Sequence, residues 1–213
     1  MLKTVIFDFD GTLADTLPIV YKSFQHIFKT YRNEEITSDE IKAMFGPAEN
    51  AIIEKHFEKN QVEAAVKTYH DYYWENHEQW VKRSQEIEDL LRDIKSRGLK
   101  LAIMTGKGRK SLDASLKALE MTDLFDMTVT GDEVEKPKPD SEGLLKILEA
   151  LNASPAEAIF VGDSDFDIKA GKSAGVEAIG VQWLPTYQSP EFTAEPDHVF
   201  TTVSDFREYL NKK

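Results

Sequence analysis

Nearly unbroken apolar runs mark five places along the chain: Thr4–Phe9, Leu99–Met104, Met127–Thr130, Ala158–Val161 and Ala178–Val181. Runs that do not alternate with polar residues predict strands buried on both faces. Between them the pattern is helical, over Glu88–Arg97, Ser111–Leu119, Ser141–Leu151 and Asp167–Ala174, with Gly98 placed to end the first as a C′ glycine. Strands alternating with helices predict an α/β protein with right-handed crossovers and a doubly wound parallel sheet. Near the end, His198-Val199-Phe200 reads as a short edge strand, and Ser204 as the cap of a last helix running to Tyr209.

One stretch breaks this alternation. From Asp15 to Lys82 no strand pattern occurs, whereas Val20, Phe24, Ile27, Phe28 and Tyr31 fall at helical spacing. Thr37-Ser38-Asp39-Glu40 resembles a capping box, Pro47 after Gly46 marks the start of a third helix, and Ala64–Trp80 reads as a fourth. The expected organisation is therefore a core made of residues 1–14 and 83–213, with a helical bundle, 15–82, inserted after the first strand.

Composition narrows the class. With 213 residues, 41% hydrophobic and 30% charged, the chain can bury a sizeable core. A net charge of −12 argues against nucleic acid or an anionic membrane as partner. There is no cysteine, hence neither disulfide frame nor thiolate chemistry. No apolar run has the length of a membrane span and no signal-peptide pattern opens the sequence, so a cytoplasmic location and a monomer are the expectations.

Ligands of open α/β sheets bind beyond the carboxyl ends of the strands. There stand Asp8-Phe9-Asp10-Gly11-Thr12, Thr105-Gly106-Lys107, Lys136-Pro137-Lys138-Pro139 and Gly162-Asp163-Ser164-Asp165-Phe166-Asp167. Carboxylates at the edge of an apolar core need compensation. Asp8, Asp10 and Asp163 offer the hard oxygens that suit Mg²⁺, an ion that also takes a phosphate. A lysine and a hydroxyl would hold the remaining phosphate oxygens, as phosphoryl transfer requires.

These four stretches, in this order and each after its strand, resemble the haloacid dehalogenase-like hydrolases, in the branch with a helical cap after the first strand (C1). The resemblance covers nearly the whole chain and is nearest to phosphoglycolate phosphatase and pyrophosphatase-type members. It implies Asp8 as the nucleophile that becomes an aspartyl-phosphate, and Asp10 as general acid and then base, its backbone carbonyl also binding Mg²⁺. It further implies that Thr105, with Gly106 and Gly11, contacts phosphate, that Lys136 neutralises charge on the phosphate and Asp8, and that Asp163 and Asp167 complete the metal site. The expected function is Mg²⁺-dependent hydrolysis of a small phosphorylated metabolite, phosphoglycolate-like. The alternative is a mutase similar to β-phosphoglucomutase, then a pyrophosphatase. A dehalogenase needs neither Asp10 nor Asp163. A mutase needs a cationic anchor for a second phosphate, and Phe45–Ile52, where the specificity loop is expected, holds none.

Other polar residues take plainer readings. Lys138 and Asp165 are assigned to solvent. Ser164 and Asp167 also read as a capping box. The five histidines show no ligand spacing and are read as structural or exposed. Tyr69, Tyr72, Tyr73, Trp74 and Trp80 are read as packing of the insert. Lys107, Arg109 and Lys110 form a basic cluster that either assists phosphate at a helix N-terminus or is a solvated face.

Overall fold

The computed structural model describes residues 1–213. Six parallel strands form one sheet: β1 (Thr4–Phe7), β2 (Lys100–Met104), β3 (Met127–Val129), β4 (Ala158–Gly162), β5 (Glu177–Val181) and β6 (His198–Phe200). Their order is β3-β2-β1-β4-β5-β6. The chain thus leaves β1 on one side toward β2 and later returns on the other with β4, which makes the crevice beside β1 the topological switch point. Phe7 pairs with Ile103 of β2 and with Val161 of β4, and Met104 pairs with Val129 of β3. In a parallel sheet this register brings the residues that follow each strand level with one another. Asp8, Thr105, Thr130 and Asp163 all emerge along one edge.

The inner strands β1, β2, β4 and β5 alternate their side chains between two covered faces, whereas the edge strand β6 is largely exposed. On one face Val5 and Phe7 join a cluster of 35 buried apolar residues. On the other, Ile6 joins a cluster of 12, covered by α7 (Glu142–Ala150) and α8 (Asp165–Ala174). Burial on both faces is why these strands read as continuous apolar runs.

Between β1 and β2 the chain forms five helices: α1 (Leu17–Arg32), α2 (Ser38–Lys42), α3 (Glu49–His56), α4 (Val62–Trp80) and α5 (Gln85–Ser96). The first four lie within residues 15–82. Helix α1 packs along α4, whereas α5 packs on β2. Helix α4 also packs on α6 (Arg109–Ala118), which follows β2. The last helix, α9, is Val203–Leu210. No helix is long and apolar enough to cross a membrane.

Ends differ from expectation where local hydrogen bonding overrides the apolar pattern. The first strand stops at Phe7 because the Phe9 carbonyl is turned back to accept from the amides of Thr12, Leu13 and Ala14. The Thr37 capping box is present, with Glu40 returning a bond to the Thr37 amide at 2.8 Å. Pro47 does not open α3, which starts two residues later with Ala48 as its N-cap. The last helix is capped by Thr202, whose hydroxyl accepts from the Asp205 amide, and not by Ser204.

Candidate active site

Asp8 leaves β1 with its carboxylate almost fully buried. Lys138 Nζ lies 2.9 Å from Asp8 Oδ1 and 2.6 Å from Asp167 Oδ1. Burial raises the Asp8 carboxyl above the usual carboxylate range; Lys138 opposes this, and Asp167 and Asp10 add to it. The Lys138 ammonium, which burial alone would push down, is held up by Asp167 and Asp8. Asp167 serves two neighbours at once. Its second oxygen accepts from the Ser164 amide at 3.0 Å and from the Ser164 hydroxyl at 2.6 Å, closing the capping box of α8.

Lys138 corrects the sequence reading. Lys136 is exposed, and its amide is tied to Glu142 Oε2 at 2.9 Å, at the start of α7. That bond fixes the loop so that the second lysine of the motif turns inward. Two lysines one residue apart, each followed by a proline, carry no local signal that would distinguish them, and the carboxylates that hold Lys138 lie far along the chain.

Asp163, fully buried just after β4, takes its side-chain bonds from two distant segments. Thr12 Oγ1 donates to Oδ1 at 3.3 Å, and the Gln188 amide donates to Oδ2 at 2.6 Å. Burial, then Asp8 and Asp167, raise its carboxyl well above the ordinary range. Gly11 makes this approach possible: its φ is +79°, and a Cβ there would stand 2.2 Å from Asp163 Oδ2. The segment that supplies Gln188 is further tied down by Trp183 Nε1, which donates to the Thr12 carbonyl at 2.8 Å, and by Lys42 Nζ, which donates to the Gln188 carbonyl. Asp165 is not free in solvent; it accepts from the amides of Thr193 and Ala194, each at 2.9 Å.

Asp8, Asp163 and Asp167 place one carboxylate oxygen each within 4.8 Å of the others, all buried. Three buried hard oxygen donors so close together fit a small divalent cation such as Mg²⁺. Asp167, whose two oxygens already serve Lys138 and Ser164, has the least left to offer a metal.

Asp10 belongs to a second group. Its Oδ1 accepts from the Thr16 hydroxyl and from Lys107 Nζ at 3.0 Å. The Lys107 side chain is fully buried, 4.5 Å from the centre of the Tyr73 ring on α4 and 3.8 Å from Glu49 Oε1 on α3. Burial alone would lower its ammonium, but Asp10, Tyr73 and Glu49 raise it. The solvated-face reading of Lys107 therefore fails. Arg109, by contrast, turns away to Glu133 and Thr128, and the amides of Gly108 and Arg109 at the start of α6 are taken by Glu49 and Asp132.

Glu49 was not singled out by its sequence context. Its Oε2 accepts from the Gly108 amide at 2.6 Å, its Oε1 has no hydrogen-bond partner, and it is 6% exposed. The only hint was its place in the expected specificity loop. Beneath it, Tyr73 Oη and His77 Nε2 meet Ser115 Oγ at 2.7 and 3.0 Å, and His70 bridges Asn50 and Ser111. Burial, then Lys110 and Lys107 for His70 and Lys107 for His77, pushes both rings down to about 4. His70, His77, Tyr69 and Tyr73 are buried in the packing of the insert, while Trp74 and Trp80, also read as packing, are exposed.

The two groups share one cavity. Its floor is Asp8, Asp10, Thr105, Gly106, Lys107 and Lys138; its roof is Leu17, Val20, Phe24, Phe45, Gly46, Pro47, Glu49 and Ile52, with Gln188, Ser164 and Phe166 at the side. Of the residues expected at the site, Asp8, Asp10, Thr105 and Gly106 line it directly, Asp163 and Asp167 stand behind Asp8, and Gly11 makes room for Asp163. Lys136 lies outside. The arrangement pairs buried carboxylates with buried ammonium groups around an opening large enough for a small molecule.

Residues 5–181 match the family described as haloacid dehalogenase-like hydrolase. The chain is 31% identical over 210 residues to the pyrophosphatase PpaX of Bacillus cereus strain B4264, covering 99% of this chain and 97% of that one. Two solved structures share the fold. A protein described as a predicted phosphoglycolate phosphatase from Haemophilus somnus 129pt has a TM-score of 0.85 and 22% identity, over 98% of both chains. CbbY from Rhodobacter sphaeroides, in complex with phosphate, has a TM-score of 0.84 and 21% identity, over 97% of this chain and 96% of that one. A full-length match in sequence, joined to this sheet order and this edge of carboxylates, leaves one assignment: the chain belongs to the haloacid dehalogenase-like hydrolases.

Proposed function

We propose that the protein is a Mg²⁺-dependent phosphatase that hydrolyses a small phosphorylated metabolite through an aspartyl-phosphate on Asp8. The observation that carries this is the set of three buried carboxylates, Asp8, Asp163 and Asp167, with Lys138 between two of them, at the floor of a cavity that also holds Asp10. Mg²⁺ bound by Asp8 and Asp163 would neutralise phosphate oxygens and let two anions, Asp8 and the ester, approach. Asp8 attacks phosphorus, forming the O–P bond as the bond to the alcohol oxygen breaks. Asp10 gives that oxygen its proton and then takes one from the water that hydrolyses the aspartyl-phosphate. Thr105 and Lys138 hold the phosphate oxygens. The four-helix insert roofs the cavity and keeps bulk water from the intermediate.

Phosphoglycolate-like esters are the substrates that the family resemblance suggests, and the Bacillus cereus relative's name makes inorganic pyrophosphate the second candidate. A mutase is less well supported. Lys107 and Lys138 are the cavity's cations, and neither comes from the roof, where a second phosphate would need its anchor. The test is phosphate release from a panel of phosphoglycolate, pyrophosphate, nucleoside monophosphates, hexose phosphates and 4-nitrophenyl phosphate. It is run with Mg²⁺ and with EDTA, for wild type and Asp8→Asn. Release that needs both Mg²⁺ and Asp8 supports the reading. Release that survives Asp8→Asn in a pure preparation overturns it.

A further inference from the structure

The floor of the cavity is built for a phosphate, but the roof is not built for a second anion. Leu17, Val20, Phe24, Phe45, Pro47 and Ile52 are apolar, and the one charged group among the roof residues is the carboxylate of Glu49. Three features show that this carboxylate is held in place and still has something to offer. Its Oε2 is pinned by the Gly108 amide at 2.6 Å. The pinning depends on a glycine, because a Cβ at residue 108 would stand 2.6 Å from that same oxygen. Its Oε1 is buried without a hydrogen bond, and Lys107, at 3.8 Å, is beyond hydrogen-bond length and already donates to Asp10. A buried acceptor left unpaired is costly, which makes a donor from a ligand the natural completion.

We propose that Glu49 is the specificity-determining residue of the cavity. It selects phosphomonoesters whose alcohol portion ends in a hydroxyl or ammonium donor and carries no second anion. The inference rests on the phosphatase reading above and turns its substrate away from phosphoglycolate and pyrophosphate toward uncharged or cationic alcohols. Lys107 does not serve as an anchor for a distal carboxylate or phosphate, because its charge is already shared between Asp10 and Glu49. Lys42, a lysine of the insert, donates to the Gln188 carbonyl and does not line the cavity. A ligand ending in a carboxylate would therefore meet Glu49 at close range in an apolar setting, where like charges repel most strongly. A ligand ending in a hydroxyl or ammonium would give Oε1 its missing bond, and its carbon chain would lie against Val20, Phe45 and Ile52.

The experiment uses esters matched in length: 2-hydroxyethyl, 2-aminoethyl, ethyl and carboxymethyl phosphate (the last is phosphoglycolate), with the three-carbon homologues and pyrophosphate, all at saturating Mg²⁺. For wild type, kcat/KM for the hydroxyl and ammonium esters is expected to exceed that of the carboxylate ester of equal length by about tenfold or more. Glu49→Gln is expected to compress the ammonium-to-carboxylate ratio by about fivefold or more, because it keeps the shape and removes the charge. Glu49→Asp, which keeps the charge but withdraws it, should retain the order with lower kcat/KM. Ratios taken within one protein are insensitive to the fraction that is folded. If neither variant folds, the wild-type order alone decides. A wild type that prefers the carboxylate esters or pyrophosphate overturns the inference. So does the expected order persisting unchanged in Glu49→Gln. Hydrolysis of 4-nitrophenyl phosphate that requires Asp8, together with a flat ranking, sinks the role of Glu49 and leaves the phosphatase standing. Absence of hydrolysis from every compound sinks both.

Discussion

Two buried lysines in this molecule have nearly the same surroundings and opposite dependencies. Lys138 sits between Asp8 and Asp167, the lysine and Asp8 supplied by loops at the edge of the sheet and Asp167 by the first turn of α8, all of them in the core. Lys107 sits between Asp10, from the sheet edge, and Glu49, from the helical insert, with the Tyr73 ring of the insert against it. The first group is complete whatever the insert does. The second is complete only when the insert lies where it is. Charge compensation of buried ions is strong when every partner is present and unfavourable when one is removed. The two lysines therefore divide the site into a permanent half and a conditional half.

The largest expected effect tests the permanent half. Lys138→Met should lower kcat by about two to three orders of magnitude, as does loss of one preorganised cationic or donor group at a transition state. Lys136→Met should stay within about twofold, in line with ordinary surface substitutions. Steady-state kinetics on the two variants side by side decides it, and the reverse ranking would restore the reading by which the first lysine of the motif is the functional one. Next comes Asp10→Asn, expected to slow both formation and breakdown of the phospho-enzyme by about a hundredfold or more. Rapid-quench measurement of the two steps checks this; a change in Mg²⁺ affinity alone would make Asp10 a ligand. Lys107→Met is expected to act through the conditional half. It should lower kcat by about tenfold, since it loosens the seat of Asp10, and raise KM by less, through the loosened contact with the insert.

The smallest effect is a pH dependence of stability at the contact between α4 and α6. His70 and His77 are held down at about 4 against an ordinary value near 6.5. Between those values the unfolded chain binds protons that the folded one refuses, so these two groups withdraw stability as pH falls from about 6.5 toward 4. Asp8 and Asp163 act with the opposite sign in part of that window, because their raised carboxyls favour the folded state at lower pH. The difference between wild type and a His70→Asn, His77→Gln double variant isolates the histidines. The melting temperature of the variant should fall less than that of wild type between pH 6.5 and 4.5, and parallel curves would refute the assignment.

How much of this could be read from the sequence follows the range of the interactions. The strands were legible because burial on both faces writes itself into consecutive residues such as Val5, Ile6 and Phe7. Asp8, Asp10, Thr105, Asp163 and Asp167 were legible as candidates because each follows a strand, and parallel register brings such positions level. The choice between Lys136 and Lys138 was not, because it depends on a bond to Glu142 and on carboxylates far away in the chain. Lys107 stayed undecided between phosphate binding and a solvated face because its compensating groups lie 97 residues back, at Asp10, and in the insert. Glu49 had no local pattern at all. Its meaning comes from Gly108, 59 residues later, which opposes it across the boundary between insert and core.

The larger apolar cluster runs without a break from Val5 and Phe7 on the sheet, through Leu112 and Leu116 of α6, to Tyr69, Ile53 and Phe24 in the insert. An insert joined to the sheet by continuous apolar packing is not a separate cooperative unit. Pulling it away exposes hydrocarbon on both sides, so its opening carries an increment of heat capacity and a dependence on urea in proportion to that surface. Chemical denaturation should accordingly take the whole chain through one transition, with fluorescence from Trp74 and Trp80 in the insert and from Trp183 in the core falling together. Opening of the roof short of unfolding is then an excursion that costs exposed hydrocarbon on both sides of this seam.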